Sequence, residues 1–464
     1  MNHFEYRNGE MFAEDVPVKR IAKEVGTPAY VYSLATLKRH FRVFDEAFAK
    51  IPHIVCFSVK ANSNIALLRT FAKEGGGFDI VSGGELFRAL KAGADPKKIV
   101  FSGVGKKKEE IEYALNSGIL MFNVESEHEM VALNEIAGGI GKRAPISLRI
   151  NPDVDPQTHP YISTGMKKAK FGVDIKRSVE SYRKAAALPN LEVVGVDCHI
   201  GSQLTSVSPF VDALARVREY LDRVLVGSML KEGARIRYLD LGGGLGIRYK
   251  DELPPHPEEY ARAIIQGVEG LDVTLILEPG RVIVGNAGIL VTEVLYLKET
   301  DEKKFVIVDG GMNDLIRPAL YGSYQAIQPV VQNNGAKIVA DIVGPICESG
   351  DFFAKDREIT RPDRGDLLAV MSAGAYGFTM ASNYNSHPKP PEILVDGDKY
   401  YVIRARENFD DLIRGEGDGV RRTIERPWLI ASAVPPGVSG CNTDVNPSSP
   451  LHRLDPKERL DLYR

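Results

Sequence analysis

The strongest constraint on the fold is a regular alternation of two patterns between residues 36 and 285. Helical patterns, such as Leu37, Phe41, Phe44 and Phe48 on one helix face, separate eight short β-rich runs. Most of these runs are almost continuously apolar, and they lie at residues 53–59, 78–81, 97–102, 119–122, 145–151, 192–200, 236–241 and 273–278. Continuously apolar runs are typical of strands buried on both faces of a parallel sheet. Eight such units in about 250 residues predict a (β/α)8 TIM barrel, with a doubly wound open sheet as the alternative.

The pattern changes after residue 286. Glycine, proline, aspartate and asparagine, instead of helices, separate further β-rich runs at 289–297, 304–308, 337–343, 366–371 and 399–404, which is typical of an all-β domain. We therefore expect four parts, which are an N-terminal segment (1–34) that pairs with the β-domain, the barrel (35–285), a C-terminal β-sandwich or β-barrel-like domain (286–422) and an irregular or disordered tail (423–464). Two long connections, 151–172 and 374–391, are of a length that is usually functional or disordered.

Charge and composition exclude several classes of protein. The 59 lysine and arginine residues nearly balance the 62 aspartate and glutamate residues, for a net charge of −3. This balance argues against an electrostatic nucleic-acid binder or a polybasic membrane-surface protein. No apolar run reaches the roughly 18 residues of a membrane helix, and the N-terminus carries no signal-peptide pattern. The four cysteines form no Cys-x-x-Cys pair, so we expect a cytoplasmic protein without disulfides or structural zinc.

One lysine stands where a barrel enzyme places its active site. Lys60 follows the first predicted strand, and side chains at the carboxyl ends of barrel strands line the active site. The apolar run before Lys60 can desolvate its amine and lower its pKa, which favours a nucleophilic or Schiff-base lysine. Taken alone, the position favours an ordinary surface lysine in a loop.

Two further strand ends carry groups suited to anions. The glycine run at 242–246 follows a predicted strand, and consecutive glycines let backbone N–H groups approach a phosphate, although no Walker pattern is present. Glu278, Gly280 and Arg281 follow the eighth run, where the glutamate could pair with a cationic ring nitrogen and the arginine could bind an anion. A tight turn and an internal Glu–Arg pair are the structural alternatives.

The remaining candidates are single side chains. At the end of the sixth run, His199 could stack on a planar cofactor and Ser202 could bind phosphate; because no second ligand lies at metal-binding spacing, we expect no metal site. Arg317 and Tyr321 could hold a substrate carboxylate.

A turn-forming Gly-Pro precedes Cys347 and Glu348, and the thiol could donate a proton. Tyr376 follows a flexible turn of small residues. Each of these side chains also has a packing or surface interpretation.

The order of these motifs is more specific than any one of them. In sequence order, the chain carries FSVKAN at 57–62, FDIVSGGE at 78–85, KFG at 170–172, HIGSQ at 199–203, GGGLG at 242–246, EPGR at 278–281, RPALY at 317–321, GPICESGD at 344–351 and SAGAY at 372–376. From about residue 5 to 415, this series closely resembles the diaminopimelate decarboxylase family, which belongs to the alanine-racemase-like, fold-type III class of pyridoxal-phosphate enzymes.

The resemblance implies a barrel with a β-domain, pyridoxal 5'-phosphate as the cofactor, and a homodimer with shared active sites. It implies decarboxylation of meso-2,6-diaminopimelate to L-lysine and CO2, the final step of lysine biosynthesis. It implies that Lys60 holds the cofactor, together with Asp79, His199, Ser202, Gly243, Gly244, Glu278, Gly280, Arg281 and Tyr376. The implied substrate-binding residues are Arg281, Arg317, Tyr321, Tyr376 and, from the partner subunit, Glu348, with the partner's Cys347 as the proton donor.

An ornithine- or arginine-type decarboxylase of the same fold is the main alternative. Such enzymes resemble this chain through Lys60, His199 and EPGR, but they typically carry aspartate where this chain has Glu348, and they lack the RPALY pattern. An alanine racemase would place arginine instead of Glu278 against the ring nitrogen. A non-catalytic cofactor-binding protein of a related barrel fold would lack the Cys-Glu pair and the long β-domain.

Overall fold

The computed structural model describes residues 2–152, 154, 170–226 and 236–417. Residues 1–412 form one compact unit, and residues 413–464 form a second unit. Of the second unit, the described residues 413–417 include a turn at 413–415. The tail predicted at 423–464 and most of the connection predicted at 151–172 lie outside the described residues. In the described part of the chain, no helix is long and apolar enough to cross a membrane.

The chain begins with a small antiparallel sheet and a helix that the sequence patterns do not predict. These elements are β1 (Phe4–Arg7), β2 (Glu10–Ala13), β3 (Val16–Pro17) and α1 (Val18–Val25), followed by β4 (Ala29–Ser33). Helix α1 buries Val18, Ile21 and Ala22, which share one helix face because they are three and four residues apart. They pack in one apolar cluster with Val31 of β4.

Eight parallel strands close into a barrel. The strands in this part of the chain are β5 (His53–Ser58), β6 (Gly77–Ile80), β7 (Ile99–Phe101), β8 (Met121–Val124), β9 (Ala144–Asn151), the two-residue β10 (Val173–Asp174), β11 (Leu191–Asp197), β12 (Tyr238–Asp240) and β13 (Thr274–Leu277). Strand β13 pairs with β5, and β8 pairs with β9, so the ring of eight has no open edge, while β10 extends only from β9. The predicted (β/α)8 barrel is therefore confirmed over the open sheet.

Helices alternate with the barrel strands. They are α2 (Leu34–Ala47), α3 (Ile65–Lys73), α4 (Gly83–Lys91), α5 (Lys108–Ser117), α6 (Glu127–Gly139), α7 (Ile175–Ala187), α8 (Ser208–Val226), α9 (Pro257–Gly267) and α10 (Arg281–Val284). Helices α3 to α9 occupy the connections between successive barrel strands, whereas α2 precedes β5 and α10 follows β13. Helix α2 begins where the Ser33 hydroxyl accepts a hydrogen bond from the backbone of Thr36. Its predicted apolar face is buried, and Phe41 stacks on Phe71 with ring centroids 5.6 Å apart. Each such buried side chain contributes about 1.5–3 kcal/mol.

A second, mostly antiparallel sheet follows the barrel. Besides β4 it contains β14 (Gly288–Glu299), β15 (Lys304–Val308), β16 (Ile327–Pro329), β17 (Lys337–Val343), β18 (Phe352–Thr360), β19 (Leu367–Val370), β20 (Glu392–Asp396) and β21 (Lys399–Arg404). Two short α-helices also lie in this part of the chain, α11 (Arg317–Tyr321) and α12 (Phe409–Leu412). Strand β4 lies between β14 and β20, so residues near the N-terminus form an inner strand of this sheet. The sequence patterns missed β16, β18 and β20.

A loop from the second sheet reaches the mouth of the barrel. The backbone N–H of Tyr376 donates to the carbonyl of Ala61 (2.8 Å), and the Asn62 amide donates to the carbonyl of Gly374 (3.1 Å). Position 374 requires glycine, because a Cβ there would lie 1.9 Å from the carbonyl oxygen of Val284. These contacts fix the loop after β19 against the turn that follows β5.

Candidate active site

A cavity of about 460 Å³ opens at the carboxyl ends of the barrel strands. Its walls come from the turn after β5, from the loops after β11, β12 and β13, and from segments around residues 317–324 and 376. Among the residues predicted from the sequence, the cavity is lined by Lys60, His199, Ser202, Gly243, Gly244, Glu278, Gly280, Arg281, Arg317, Tyr321 and Tyr376. Asp79 lies behind this lining, in contact with Lys60.

Lys60 is paired with a fully buried carboxylate. Asp79 lies on β6, directly beside Ser58 in the strand register, and the Lys60 amine donates to its Oδ2 atom. The Ser58 hydroxyl donates to the same oxygen at 2.8 Å. Burial alone would lower the pKa of Lys60, but the pKa is raised, chiefly by the negative charge of Asp79. The lowered pKa expected from the apolar run before Lys60 is therefore wrong, since a single sequence does not reveal the facing carboxylate.

The glycine loop after β12 lies directly against His199. A Cβ at Gly242 would lie 2.4 Å from the imidazole, and one at Gly243 would lie 2.2 Å from the carbonyl oxygen of Glu278. The backbone N–H of Gly243 donates to His199 Nδ1 at 3.3 Å, which orients the ring. Burial lowers the pKa of His199 well below its usual 6.5, and the positive charges of Arg149 and Lys60 lower it further. The imidazole is therefore neutral.

Glu278 belongs to a buried network of polar side chains at or near the ends of four barrel strands, β7, β8, β12 and β13. Its Oε1 atom accepts hydrogen bonds from the Ser102 hydroxyl (3.3 Å) and the Asn123 amide (3.4 Å), and that amide also donates to Asp240 (2.9 Å). Burial raises the pKa of Glu278 well above its ordinary value, and the nearby charges of Asp240 and Asp79 raise it further. Glu278 therefore favours its protonated form in this pocket.

Two buried guanidinium groups line the same cavity. Arg281 follows Gly280 at the start of α10, and it donates to the Ser202 hydroxyl at 3.1 Å. Its Nε atom is buried and has no hydrogen-bond partner among the residues that the structure describes. Arg317, on α11, donates to the side-chain oxygen of Gln325 at 2.8 Å. Because buried guanidinium donors are normally satisfied, the arrangement suits an anionic ligand.

The structure places Cys347 and Glu348 apart from the cavity lining. Both side chains are exposed, on a turn between β17 and β18. The backbone N–H of Cys347 donates to Asn385 Oδ1 at 2.7 Å, and the Tyr384 hydroxyl donates to Glu348 at 3.3 Å. Within a single chain, these two residues are therefore held in place but do not line the cavity with Lys60.

Sequence reasoning missed several residues of this site. Asn123 and Asp240 are polar residues near the ends of otherwise apolar strands, a signal that could have identified them. Tyr249 lies three residues beyond the glycine run and contacts both cavity arginines. Tyr324 also lines the cavity, and no pattern in the sequence identifies either tyrosine.

Comparison with known proteins first gives the class. Residues 34–285, more than half of the chain, match the family model described as "Pyridoxal-dependent decarboxylase, pyridoxal binding domain". Together with the closed barrel, the separate sheet and the lysine at the cavity, this match defines the chain as a pyridoxal-phosphate-dependent decarboxylase, which is a carboxy-lyase.

Full-length relatives give the family. Diaminopimelate decarboxylase from Vibrio cholerae is 54% identical over 414 residues, which cover 89% of this chain and 98% of that protein. The enzyme of the same name from Pseudomonas aeruginosa is 54% identical over 416 residues, covering 90% and 99%. The crystal structure of diaminopimelate decarboxylase from Helicobacter pylori complexed with L-lysine matches with a TM-score of 0.82 at 44% identity, covering 86% and 98%. The chain belongs to the diaminopimelate decarboxylase family.

More distant structures share the fold alone. An arginine decarboxylase from a Paramecium bursaria Chlorella virus matches at 21% identity and a TM-score of 0.72. A lysine/ornithine decarboxylase from Vibrio vulnificus matches at 20% identity and a TM-score of 0.71. The much higher identity to diaminopimelate decarboxylases supports the main interpretation of the sequence over the ornithine- or arginine-type alternative.

Proposed function

We propose that the chain decarboxylates meso-2,6-diaminopimelate to L-lysine and CO2, the final step of lysine biosynthesis, in the cavity at the barrel mouth. The observation that carries this proposal is the presence of Lys60, a buried Glu278 carboxyl group, and the buried Arg281 and Arg317 in one cavity. The amine and the carboxyl suit an aldehyde cofactor with a ring nitrogen. The two guanidinium groups suit a substrate that keeps a second carboxylate after the first has left.

The residues of the cavity fit pyridoxal phosphate. The side chain of Lys60 is partly exposed, so its amine is accessible to an aldehyde. A phosphate would satisfy the unpartnered Nε atom of Arg281. The bare backbone of Gly243 and Gly244 lets an anion approach closely, whereas a Cβ at either position would collide with backbone atoms.

We assign each residue to a part of this cofactor. Lys60 binds the aldehyde carbon and Glu278 faces the ring nitrogen, while Asp79 holds the lysine amine. The residues that we place around the phosphate and the ring are His199, Ser202, Gly243, Gly244, Gly280, Arg281 and Tyr376.

The chemistry follows from the charges of these groups. Pyridoxal phosphate, when bound, supplies a sink for the electron pair left behind by departing CO2. Glu278 can hold a proton at its carboxyl oxygen beside a basic nitrogen, and this proton strengthens the sink. His199 adds packing without charge, because its imidazole is neutral. We assign Arg281, Arg317, Tyr321 and Tyr376 to the substrate, with the arginines holding the retained carboxylate.

We further propose that the chain works as a homodimer with shared active sites. One proton must replace the departing CO2, and a positioned thiol can deliver it. Cys347 is the proton donor in this proposal, and Glu348 faces the distal amino group, each acting in the cavity of the partner chain. Their exposure, together with the hydrogen bonds that hold their turn, supports this assignment.

We also propose a cytoplasmic location. Cys56, Cys198 and Cys347, the cysteines within the described residues, are all free thiols. Free thiols suit a reducing compartment.

The test of the function is CO2 release by purified protein with added pyridoxal phosphate. We expect turnover of meso-diaminopimelate to L-lysine, no turnover of L-ornithine or L-arginine, and no turnover of any of them by the Lys60→Ala variant. Turnover of ornithine or arginine would contradict the substrate assignment but not the cofactor assignment. Failure to turn over any of the three, in protein shown to hold the cofactor, would contradict the proposed reaction.

A further inference from the structure

Tyr249 contacts both arginines of the cavity. The residue is buried, and its hydroxyl accepts a hydrogen bond from Arg281 Nη1 at 2.7 Å. The guanidinium carbon of Arg317 lies 4.6 Å from the centre of the Tyr249 ring, and that of Arg281 lies 5.8 Å from the same centre. One side chain therefore restricts the positions of both guanidinium groups.

Side-chain hydrogen bonds hold the backbone on both sides of Tyr249. Before it, the side chain of Gln203 makes two hydrogen bonds to the backbone of Ile247, at 2.6 and 3.1 Å. After it, the Glu252 carboxylate accepts from the backbone N–H groups of Tyr249 (3.0 Å) and Lys250 (2.6 Å). The ring is thus held by its own supporting contacts before any ligand binds.

The two arginines need such support because they are buried like charges. Burial lowers the pKa of Arg317, and the positive charge of Arg281 lowers it further, while Tyr249 acts in the opposite direction. An aromatic ring face attracts a guanidinium group, and the tyrosine hydroxyl accepts one N–H of its neighbour. Tyr249 therefore offsets the repulsion until an anion occupies the space.

We propose that Tyr249 is a positioning residue that confers preference for ligands with a distal carboxylate, by holding Arg281 and Arg317 together for that group. This inference rests on the proposed function, in which the arginines bind the carboxylate that the substrate retains. Loss of the hydroxyl would leave Arg281 Nη1 without its acceptor, while Nη2 would keep its contact with Ser202. The loss of affinity should therefore affect ligands that carry the carboxylate, and the affinity for the cofactor should change little.

The test compares L-lysine with cadaverine, which is the same molecule without the carboxylate. Isothermal titration calorimetry on the wild-type holoprotein should show tighter binding of L-lysine. In Tyr249→Phe we expect the affinity for L-lysine to fall about tenfold, the effect of losing one hydrogen bond to a charged group. The affinities for cadaverine and for pyridoxal phosphate should stay within about twofold of wild type, and the KM for meso-diaminopimelate should rise more than kcat falls.

Two variants make the test specific. Tyr182→Phe is the matched control, because it removes a buried tyrosine hydroxyl whose hydrogen-bond partners among the described residues are backbone groups of the barrel, including the carbonyl of Gly195 at 2.8 Å. It should keep the wild-type preference for L-lysine. Tyr249→Leu also removes the ring and should weaken L-lysine binding further; if this variant does not fold, Tyr249→Phe decides alone.

The outcomes separate the inference from the function on which it rests. The role of Tyr249 would be overturned if Tyr249→Phe weakened the binding of L-lysine and of cadaverine by the same factor. An unchanged affinity for L-lysine would also overturn it. Wild-type protein that binds cadaverine as tightly as L-lysine would instead refute carboxylate binding by the arginines, and with it the substrate end of the proposed function.

Discussion

At the scale of single residues, the Asp79 carboxyl group controls the ionisation of Lys60. One of its oxygens accepts from both Ser58 and Lys60, and the other is buried without a partner among the described residues. With few neutral donors available, this carboxylate depends mainly on the ammonium group of Lys60 for stabilisation. The pairing therefore keeps the amine protonated in the protein without cofactor, although bond formation with an aldehyde requires the neutral amine.

Removal of that charge should change how cofactor attachment depends on pH. In Asp79→Asn, the pKa of Lys60 should fall by about one to three pH units, the usual effect of losing a contacting opposite charge. The pH midpoint for the rate of covalent attachment should therefore move downward. The measurement is the growth of visible absorbance after pyridoxal phosphate is mixed with apoprotein over a range of pH.

Ser58→Ala is the matched control for this measurement, because it removes a neutral donor to Asp79 and leaves the charge in place. Its midpoint should stay close to that of the wild type. An unchanged or higher midpoint in Asp79→Asn would show that Asp79 does not control the ionisation of Lys60.

At the scale of elements, burial on both faces determined which strands could be predicted. The barrel strands are almost entirely buried and therefore appear in the sequence as apolar runs. Strand β20 was missed because it begins with Glu392, whose buried carboxylate accepts from Tyr32, Asn64 and Arg404. Two of these partners, Tyr32 and Asn64, lie more than 300 residues away in the sequence. Sequence alone therefore does not indicate that this glutamate is buried.

The residues of the candidate site also differ in how far a sequence pattern can predict them. Residues at strand ends with distinctive chemistry, such as Lys60 and Glu278, could be predicted because the barrel brings all strand ends to one face. Tyr249 and the pairing of Lys60 with Asp79 depend on distances between separate loops and strands, which a periodic pattern does not contain.

The ends of β12 and β13 bury carboxyl groups that should make stability depend on pH. Burial raises the pKa of Asp240 to about 6, above the value near 3.9 of an unfolded aspartate. A carboxyl group with a raised folded pKa stabilises the fold fully below its unfolded pKa, and that contribution is lost as pH rises through the folded value. Asp240→Asn cannot ionise, so this apoprotein should gain up to about 3 kcal/mol relative to wild type between about pH 4 and pH 7.

Urea unfolding of the two apoproteins at each pH measures this difference in the free energy of unfolding. The change with pH is the informative quantity, because the altered hydrogen bonding of an amide at position 240 adds an offset that does not vary with pH. Asp251→Asn, at a highly exposed position, is the control. Its free energy of unfolding, plotted against pH, should run parallel to that of the wild type. If the curves for Asp240→Asn and wild type were also parallel, Asp240 would not ionise in this range.

At the scale of the whole molecule, the described residues that line the cavity of one chain include no thiol. The barrel supplies Lys60 and Glu278, and the segments beyond the barrel supply Arg317 and Tyr376, but no cysteine occurs among the described residues that line the cavity. Cys347 instead lies on a surface turn. The Asp351 carboxylate holds this turn in place, because it accepts hydrogen bonds from the backbone N–H groups of Met312 (2.6 Å) and Ile346 (2.7 Å). A rigid, exposed thiol is suited to act on a second molecule.

Complementation between two inactive variants tests whether the sites are shared. Lys60→Ala destroys the cavity of its own chain, whereas Cys347→Ala, if Cys347 acts across the dimer, destroys the cavity of the partner. After equal mixing and random reassociation, about half of the dimers are mixed, and each mixed dimer has one intact site of two, so about one quarter of wild-type CO2 release should return. Mixing Lys60→Ala with Glu278→Ala is the control, because both changes lie in the cavity of their own chain and no dimer then has an intact site. Two different affinity tags establish that mixed dimers form, and if they form without any recovery of activity, each chain must build its own complete site and Cys347 cannot be donated by the partner.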